Sequence, residues 1–392
     1  MRIVHTSDWH AGKVWKGRKR LGELEAVLDH LASFVEREAV DLLVMAGDVY
    51  DTPVPPAEAQ SLVTEFFKRV GATGCESVMI AGNHDSPARL EAWGLLAELV
   101  RCRVVPRPVP ASRGGLLEVR VRSGELARVA AIPFAGVRQL VSALELAEDE
   151  DRARTQTYPE RMARLIRQLA RGFGADSVNL LTAHAFVGGA TLAHSERVVH
   201  VGDDWAMEPQ ALPASALYVA LGHVHKPQRL DGAGAVPALY AGSALQLDFG
   251  EVGEEKSFVV VDAEPGLPAK IERVPYEGAL PLIDHRATLD ELETDAERLV
   301  TQGWLRLTVP LTAPDPDLGG KVRRLLPNAV VVRVDLPRQE LSEDPDRPEP
   351  GAPAAEVFAA YYRRQHEREP GDQLLDAFRD LYAEASGEGG LE

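Results

Sequence analysis

Five short clusters of ligand-type side chains punctuate the first 225 residues: Asp8-Trp9-His10, Gly47-Asp48, Gly82-Asn83-His84-Asp85, His184 and Gly222-His223-Val224-His225. Asp, Asn and His offer oxygen and imidazole donors that suit Mn²⁺, Fe²⁺ or Zn²⁺. No cluster contains a Cys, which argues against a structural zinc site. The count suits two ions. Asp8, His10 and His225 would hold one, Asn83, His184 and His223 the other, and the two oxygens of Asp48 would bridge them. Two divalent cations ~3.5–4 Å apart are the usual means of splitting phosphate esters, because together they polarise the phosphoryl oxygens and ready a water for attack. His84 is left without a ligand role, and an imidazole beside such a centre can steady developing charge or protonate the leaving oxygen. Where the backbone stays extended, residues two apart face one side, so Asp8 with His10, and His223 with His225, are expected to reach a common point. The other six histidines (His5, His30, His194, His200, His285 and His366) read as structural.

Each cluster follows a short apolar run. Ile3–His5, Leu42–Ala46, Val78–Ala81, Leu180–Ala183 and Tyr218–Leu221 read as strands buried on both faces. Ligands in open α/β sheets collect outside the carboxyl ends of strands, so five sequence-distant clusters can share one crevice. Between the first two runs, Leu21, Leu24, Leu28, Leu31 and Val35 recur at helical spacing within 21–39. Residues 57–71, 88–100 and the stretch around Met162–Leu169 read as further helices, so the chain is of the α/β class. Beyond about residue 235 the pattern turns to consecutive strands of antiparallel character, 239–241, 257–262 and 270–274. Strand-like 304–311 and 329–334, with a helical stretch at 288–301, predict a small separate α/β domain over 279–336. Residues 337–353 hold five prolines among many acids and read as an extended linker. Two short amphipathic helices, 354–367 and 371–385, are expected to follow within a segment ending near 386.

The chain has 392 residues, 45% of them hydrophobic, enough for a sizeable core and against wholesale disorder. Its 43 basic and 60 acidic residues leave a net charge of −17, which argues against a protein that coats DNA generically. Two cysteines, Cys75 and Cys102, support no disulfide framework and point to a reducing cytosol. No segment reads as a signal peptide or membrane span, so a cytoplasmic, nucleoid-associated location is expected. The tail from 338 onward, with 6 basic and 14 acidic residues, carries nearly half the excess negative charge.

The five clusters together resemble the signature of calcineurin-like metallophosphoesterases. The wording HTSDWHAGK (5–13), AGDVYDT (46–52), AGNHDSPARL (81–90), GHVHKPQ (222–228) and YAGSALQLDFGE (240–251) is similar to the Mre-type DNA repair nucleases within that superfamily. The resemblance runs from residue 1 to about 335 and continues more weakly through the tail. It implies a four-layered α/β/β/α sandwich over 1–278, a small capping, DNA-binding domain over 279–336, and C-terminal helices. It implies two Mn²⁺ per subunit, with Mg²⁺ or other divalent ions as substitutes. His84 would act on the leaving group, held by Asp85. Some relatives carry a histidine three residues after the Gly-Asp aspartate, where this chain has Asp51, so no role passes to that position.

Lys13, Lys16, Arg18, Lys19 and Arg20 follow the first cluster directly, at the rim of the expected crevice, where they could neutralise backbone phosphates without reading sequence. No complete phosphate loop of the G-x-x-x-x-G-K-[ST] type occurs, so the chain itself is not expected to hydrolyse ATP. The resemblance supplies a separate SMC-like ATPase and a homodimer within a heterotetramer, the dimer formed through helices such as 57–71 and 88–100. The ATPase would dock on 354–386, where Val357, Phe358, Tyr361 and Tyr362 give one apolar stripe and Leu374, Leu375, Phe378, Leu381 and Tyr382 another. The expected function is cleavage of DNA phosphodiesters, both exonucleolytic and endonucleolytic, in processing double-strand breaks and hairpins. A small-molecule phosphodiesterase or phosphatase of the same superfamily, and a non-cleaving scaffold for the ATPase, are the alternatives.

Overall fold

The computed structural model describes residues 1–145, 157–193, 195–196, 206–336, 348 and 352–386. Most of the expected linker, along with His194 and His200, lies outside the described residues. Two compact units emerge, Met1–Val309 with Pro316–Arg333, and Pro310–Asp315 with Val334–Glu392.

In the first unit, runs such as Leu42–Met45 and Val178–His184 are buried along their whole length, so they can only be interior strands. One sheet has β1 (Arg2–Thr6), β4 (Leu42–Met45), β5 (Glu76–Ile80) and β6 (Cys102–Val105) in parallel. Antiparallel β13 (Ser257–Asp262) and β14 (Lys270–Pro275) extend it beyond β1. The second sheet has β8 (Leu126–Ile132), β9 (Val178–His184), β10 (Tyr218–Gly222) and β12 (Ala238–Tyr240) in parallel. Antiparallel β7 (Leu116–Arg120) and β11 (Gln228–Arg229) close its edges. Ala238–Tyr240 pairs parallel to β10 on one side and antiparallel to β11 on the other, so the antiparallel character that the sequence pattern predicts holds at its outer edge only.

Side chains from both sheets, among them Ile3, Val44, Val129, Leu180, Tyr218 and Val259, share one buried cluster. On the far side of the first sheet pack α1 (Leu21–Arg37), α2 (Ala57–Ala72) and α3 (Pro87–Ala97), through Leu24, Leu31, Val63, Phe67 and Leu90. On the far side of the second pack α4 (Val137–Glu145) and α5 (Tyr158–Ala170), through Leu140, Met162, Leu165 and Leu169. The order is helix, sheet, sheet, helix, as the resemblance implies. Each helix presents one apolar stripe to its sheet. The expected helix at 88–100 stops at Ala97; a 3₁₀ turn follows, and Arg101 takes the left-handed conformation at its end. Strands β6 to β8 have no counterpart among the sequence expectations, because charges interrupt runs such as Leu116–Arg120.

Between Trp15 and Lys19 the chain makes a short hairpin of β2 (Val14–Trp15) and β3 (Arg18–Lys19). Further on, β15 (Leu282–Arg286), β16 (Trp304–Pro310) and β17 (Ala329–Asp335) form a three-stranded sheet, with α6 (Leu289–Thr294), α7 (Ala296–Gln302) and α8 (Leu318–Leu325) between them in the chain. The second unit contains α9 (Ala354–His366) and α10 (Asp372–Ser386), on which Phe358 and Phe378 stack with ring centroids 4.3 Å apart.

Candidate metal centre

All five clusters lie where their strands end on the carboxyl side: Asp8 after β1, Asp48 after β4, Asn83 after β5, His184 as the last residue of β9, and His223 after β10. The segments beyond β1 and β4 stay tied together, with Asp8 N–H donating to Gly47 O at 3.0 Å and His10 N–H to Asp48 O at 3.1 Å. The backbone there is not extended, contrary to the expectation for the Asp8/His10 and His223/His225 pairs. Asp8, His10, Asp48 and His223 all have positive φ (51°, 48°, 52° and 97°). Such values are uncommon outside glycine and cluster at functional sites, where the surrounding fold enforces them. Side chains two apart converge because the chain turns sharply at each ligand. Glycines make room for those turns. A Cβ on Gly82 would collide with the carboxylate and backbone nitrogen of Asp48, and one on Gly47, itself at φ 95°, with the His184 ring.

Donor atoms of three overlapping groups, Asp8/His10/His225, His10/Asp48/His84 and Asp8/Asp48/His184, each lie within 4.8 Å of one another, and every member but His84 is almost fully buried. Asp48 Oδ2 sits 3.7 Å from His10 Nε2 and 3.5 Å from His184 Nε2, in the middle of the constellation. Its other oxygen accepts His84 N–H at 2.8 Å. Asn83 Oδ1 faces His184 Nε2 at 3.0 Å and His223 Nδ1 at 2.9 Å. His10 Nε2 faces His225 Nε2 at 3.1 Å, and His225 Nε2 lies 4.0 Å from Asp8 Oδ1. Asp8 is fixed in turn by Ser7 Oγ and by His223 N–H at 3.1 Å.

This donor set fits divalent cations. His184 Nδ1 donates to Ala46 O at 2.8 Å, which commits that nitrogen's proton outward and turns Nε2 toward the carboxylates. Asp51 Oδ1, 3.3 Å from His10 Nδ1, favours a proton on that nitrogen too, so His10 directs its lone pair at the facing nitrogen of His225. That lone pair and His225 Nε2 face each other across 3.1 Å, a spacing at which both nitrogens can serve one cation. The electrostatics of the cluster point the same way. Burial, together with the nearby Asp48 charge, lifts Asp8 to about 6 despite the opposing pull of His184 and His10. Burial pushes His184 down, yet Asp48 and Asp8 outweigh it and raise that imidazole to about 9. The cluster attracts cationic charge at its centre.

A family model for calcineurin-like phosphoesterases matches residues 1–227. Among curated relatives, SbcD, the nuclease subunit of SbcCD, from Bacillus subtilis (strain 168) is 37% identical, the match covering 73% of this chain and 72% of that one. The SbcD nuclease of Rhodobacter capsulatus is 33% identical over 74% of this chain and 76% of its own. That of Escherichia coli K12 is 30% identical over 83% and 82%. The chain belongs to the SbcD nucleases. It is thus a metal-dependent phosphodiesterase of the calcineurin-like phosphoesterase family, and its described helices include none long and apolar enough to cross a membrane.

Within this phosphoesterase centre, His84 stands at the rim, its ring 4.6 Å from that of His10, with its Nδ1 donating to Asp51 O at 2.8 Å. Asp85 holds His84 otherwise than expected. Its carboxylate accepts three backbone N–H groups, from Val49 (3.2 Å), Tyr50 (2.9 Å) and Gly82 (2.9 Å), and so locks together the two loops that carry Asp48 and His84. Burial, reinforced by Asp48, raises Asp85 to about 6 against the pull of those donors.

The basic run divides. Arg20 is buried, its guanidinium donating to both oxygens of Glu23 and to the carbonyls of Gln246 and Leu280 while lying over Trp15, so it cannot reach DNA phosphates. Arg18 donates to Pro327 O at 2.7 Å and lies over Trp304. Lys13 pairs with Asp51 at 3.0 Å. Lys16 and Lys19 are exposed. The periodicity of a sequence does not distinguish a cation that ties a hairpin down from one that projects into solvent. Phe358 and Phe378 are half-buried against each other, as is Leu375, whereas Tyr361 is exposed.

Two expectations for other histidines find physical content. His5 is wholly buried with Nδ1 2.8 Å from Tyr218 Oη, and His30 accepts Glu277 N–H at 3.2 Å. Sequence reasoning passed over Asp51 as a group that touches both His10 and His84, and over Ser195, Glu251 and Lys256, which gather behind His225. The signal available for Glu251 was its place at the end of the YAGSALQLDFGE stretch; Ser195 gave none.

Proposed function

We propose that the chain is a Mn²⁺-dependent DNA nuclease that cleaves phosphodiesters both exonucleolytically and endonucleolytically at a centre of two cations. The observation that carries this reading is the convergence of seven donor side chains from five strand ends, Asp48 in their midst, with one further imidazole, His84, at their rim. Asp8, His10 and His225 would hold one cation, Asn83, His184 and His223 the second, and Asp48 would serve both. When bound, the cations polarise the phosphoryl group and ready a water for attack. The protein's own groups handle position and protons. The Asp51 carbonyl accepts a hydrogen bond from His84 Nδ1–H, so proton exchange falls to Nε2, which in the imidazolium form protonates the leaving oxygen. Asp85 keeps the two loops in register while this happens.

Lys16 and Lys19 would receive the DNA backbone, and residues 279–336 would cap the catalytic domain of 1–278 and guide the duplex. The relatives are named as one component of a larger nuclease, SbcCD, which supports a second component, an SbcC-type SMC-like ATPase, as partner. It would dock on exposed Val357, Tyr361, Leu381 and Tyr382 of the tail helices, with Phe358, Leu375 and Phe378 bracing the pair. A homodimer within a heterotetramer, working in the cytoplasm on double-strand breaks and hairpins, completes the proposal.

The test is incubation of the purified chain with labelled linear and hairpin DNA in Mn²⁺, Mg²⁺ or chelator, with and without the ATPase. Cleavage in Mn²⁺ that chelator abolishes is the expected result. Hydrolysis of small nucleotide diesters with DNA left intact would favour the small-molecule phosphodiesterase. Binding of DNA and ATPase without any hydrolysis would favour the scaffold.

A further inference from the structure

Behind His225, on the side away from Asp8, four polar residues from two distant stretches of chain meet. Ser195 Oγ lies 2.6 Å from His225 Nδ1 and also contacts Glu251 Oε1. Glu251 is wholly buried; its second oxygen accepts Leu247 N–H at 3.0 Å and pairs with Lys256 Nζ at 2.6 Å. Lys256 Nζ donates in turn to the carbonyl of His225 at 2.9 Å, and Glu196 Oε1 accepts the His225 N–H at 2.9 Å. Both main-chain groups of His225 and its outer ring nitrogen are thus held at once.

The direction of the chain of hydrogen bonds is forced. An ionised carboxylate accepts and cannot donate, and Glu251 Oε2 already receives the Lys256 ammonium and the Leu247 N–H. The single hydroxyl hydrogen of Ser195 must therefore go to Glu251. Ser195 Oγ can then only accept from His225, which places the imidazole proton on Nδ1. The lone pair is left on Nε2, the nitrogen that faces His10 and Asp8.

We propose that Ser195, Glu251 and Lys256 form a positioning relay that fixes the tautomer and orientation of His225 for holding a cation. The inference rests on the two-cation reading of the centre and deepens it. A ligating imidazole whose outer N–H is secured by a carboxylate is the more basic and better oriented for it, and removing such outer partners typically weakens metal affinity ~10–100-fold. Here the serine inserts one hydroxyl between ring and carboxylate, so the arrangement depends on a side chain no metal-ligand pattern would single out. Ser195 and Lys256 contact His225 directly, and Glu251 reaches it through both of them.

The relay is tested by titrating the metal-free, full-length chain with Mn²⁺ calorimetrically and by following its melting with and without Mn²⁺. Ser195→Ala is expected to weaken one of two Mn²⁺ binding events ~10–100-fold and leave the other unchanged. The metal-free melting temperature should hold while the Mn²⁺-induced rise shrinks, since the rise reports affinity by mass action. Ser195→Thr, which keeps the hydroxyl, should restore the weakened event. Two undiminished binding events in Ser195→Ala would overturn the relay and leave the two-cation reading standing. So would a lowered metal-free melting temperature with an unchanged Mn²⁺-induced rise, the mark of a purely structural contact. Failure of the unsubstituted chain to bind Mn²⁺ at all would overturn the two-cation reading and the relay with it.

Discussion

Four ligand-type residues of this centre, Asp8, His10, Asp48 and His223, occupy a backbone region that costs roughly 1–3 kcal/mol per residue. What compensates is local: the 8–11 and 47–50 segments hydrogen-bond to each other, and Asp85 clamps the second of them to the loop of His84. His84 is the residue where chemistry and binding separate. Its Nδ1 is secured by a main-chain carbonyl, outside the group of seven donors. His84→Ala should lower DNA cleavage ~10²–10⁴-fold, the usual worth of a general acid, with Mn²⁺ affinity unchanged in a parallel titration. Equal cleavage by that variant would remove His84 from the mechanism. His5 makes a different prediction. Burial depresses its pKa to about 3, only partly opposed by a hydrogen bond with the backbone of Leu221, so the folded protein keeps it neutral while the unfolded chain protonates below about 6.5. Acid therefore favours the unfolded state through this group, by up to about 1.4 kcal/mol per pH unit between about 6.5 and 3. In chelator, which removes any contribution from metal release, His5→Gln should flatten the fall of stability with acid, measured by urea unfolding at successive pH values.

At the scale of elements, the β2–β3 hairpin is the instructive case. Its strands are two residues each, too short to stand alone, and it is pinned by Trp15 against Phe249 and by Arg20 beneath Trp15. The five cations of 13–20 therefore do different work. Lys19→Ala should reduce the slope of log affinity for DNA against log salt by about one and leave stability alone. Arg20→Ala should do the reverse. It strands the carboxylate of Glu23, which receives Trp304 Nε1–H at 2.8 Å and Leu280 N–H at 3.1 Å, and loss of one partner of such a buried pair costs about 3–5 kcal/mol. A salt titration of DNA binding and a denaturant melt, run on both variants, separate the two roles; equal salt slopes for Lys19→Ala and the unsubstituted chain would take Lys19 off the DNA path. In the tail, α9 and α10 spend Phe358 and Phe378 on each other and leave Val357, Tyr361, Leu381 and Tyr382 in solvent, a surface that helices of this length cannot bury unaided.

Over the whole molecule, charge and apolar surface are unevenly spread. The net charge of −17 sets a repulsive background for DNA, against which the exposed Lys16 and Lys19 of the hairpin give a local exception. The end of α3 and the turn after it expose Leu95, Leu96 and Leu99 at 79%, 66% and 83%, three large apolar side chains together. Isolated exposed leucines need no explanation, but three so close in the chain are where the proposed homodimer would form its interface. Leu96→Asp with Leu99→Asp should convert the proposed homodimer to monomers in light scattering, with Mn²⁺ binding per chain unaltered. A dimer that survives both substitutions would place its interface elsewhere.

The sequence by itself determined the types and order of the candidate ligands and the strand ends on which they ride, because fully buried parallel strands must be continuous apolar runs and because ligands of α/β sheets collect where those runs stop. It determined the helices of the first sheet too, through a 3.6-residue stripe. Tertiary structure alone decided how the ligands converge, since left-handed turns at Asp8, His10 and His223 replace the extended backbone that spacing suggests. It also decided that Arg20 is a buried clamp and Ser195 a neighbour of His225, and that Asp51 serves two histidines at once. The physical reason is common to all of these. A residue's type and its near neighbours fix what it can donate, accept or bury, but a hydrogen bond across 30 residues, such as that between His225 and Ser195, depends on how whole layers pack, and no local pattern encodes that distance.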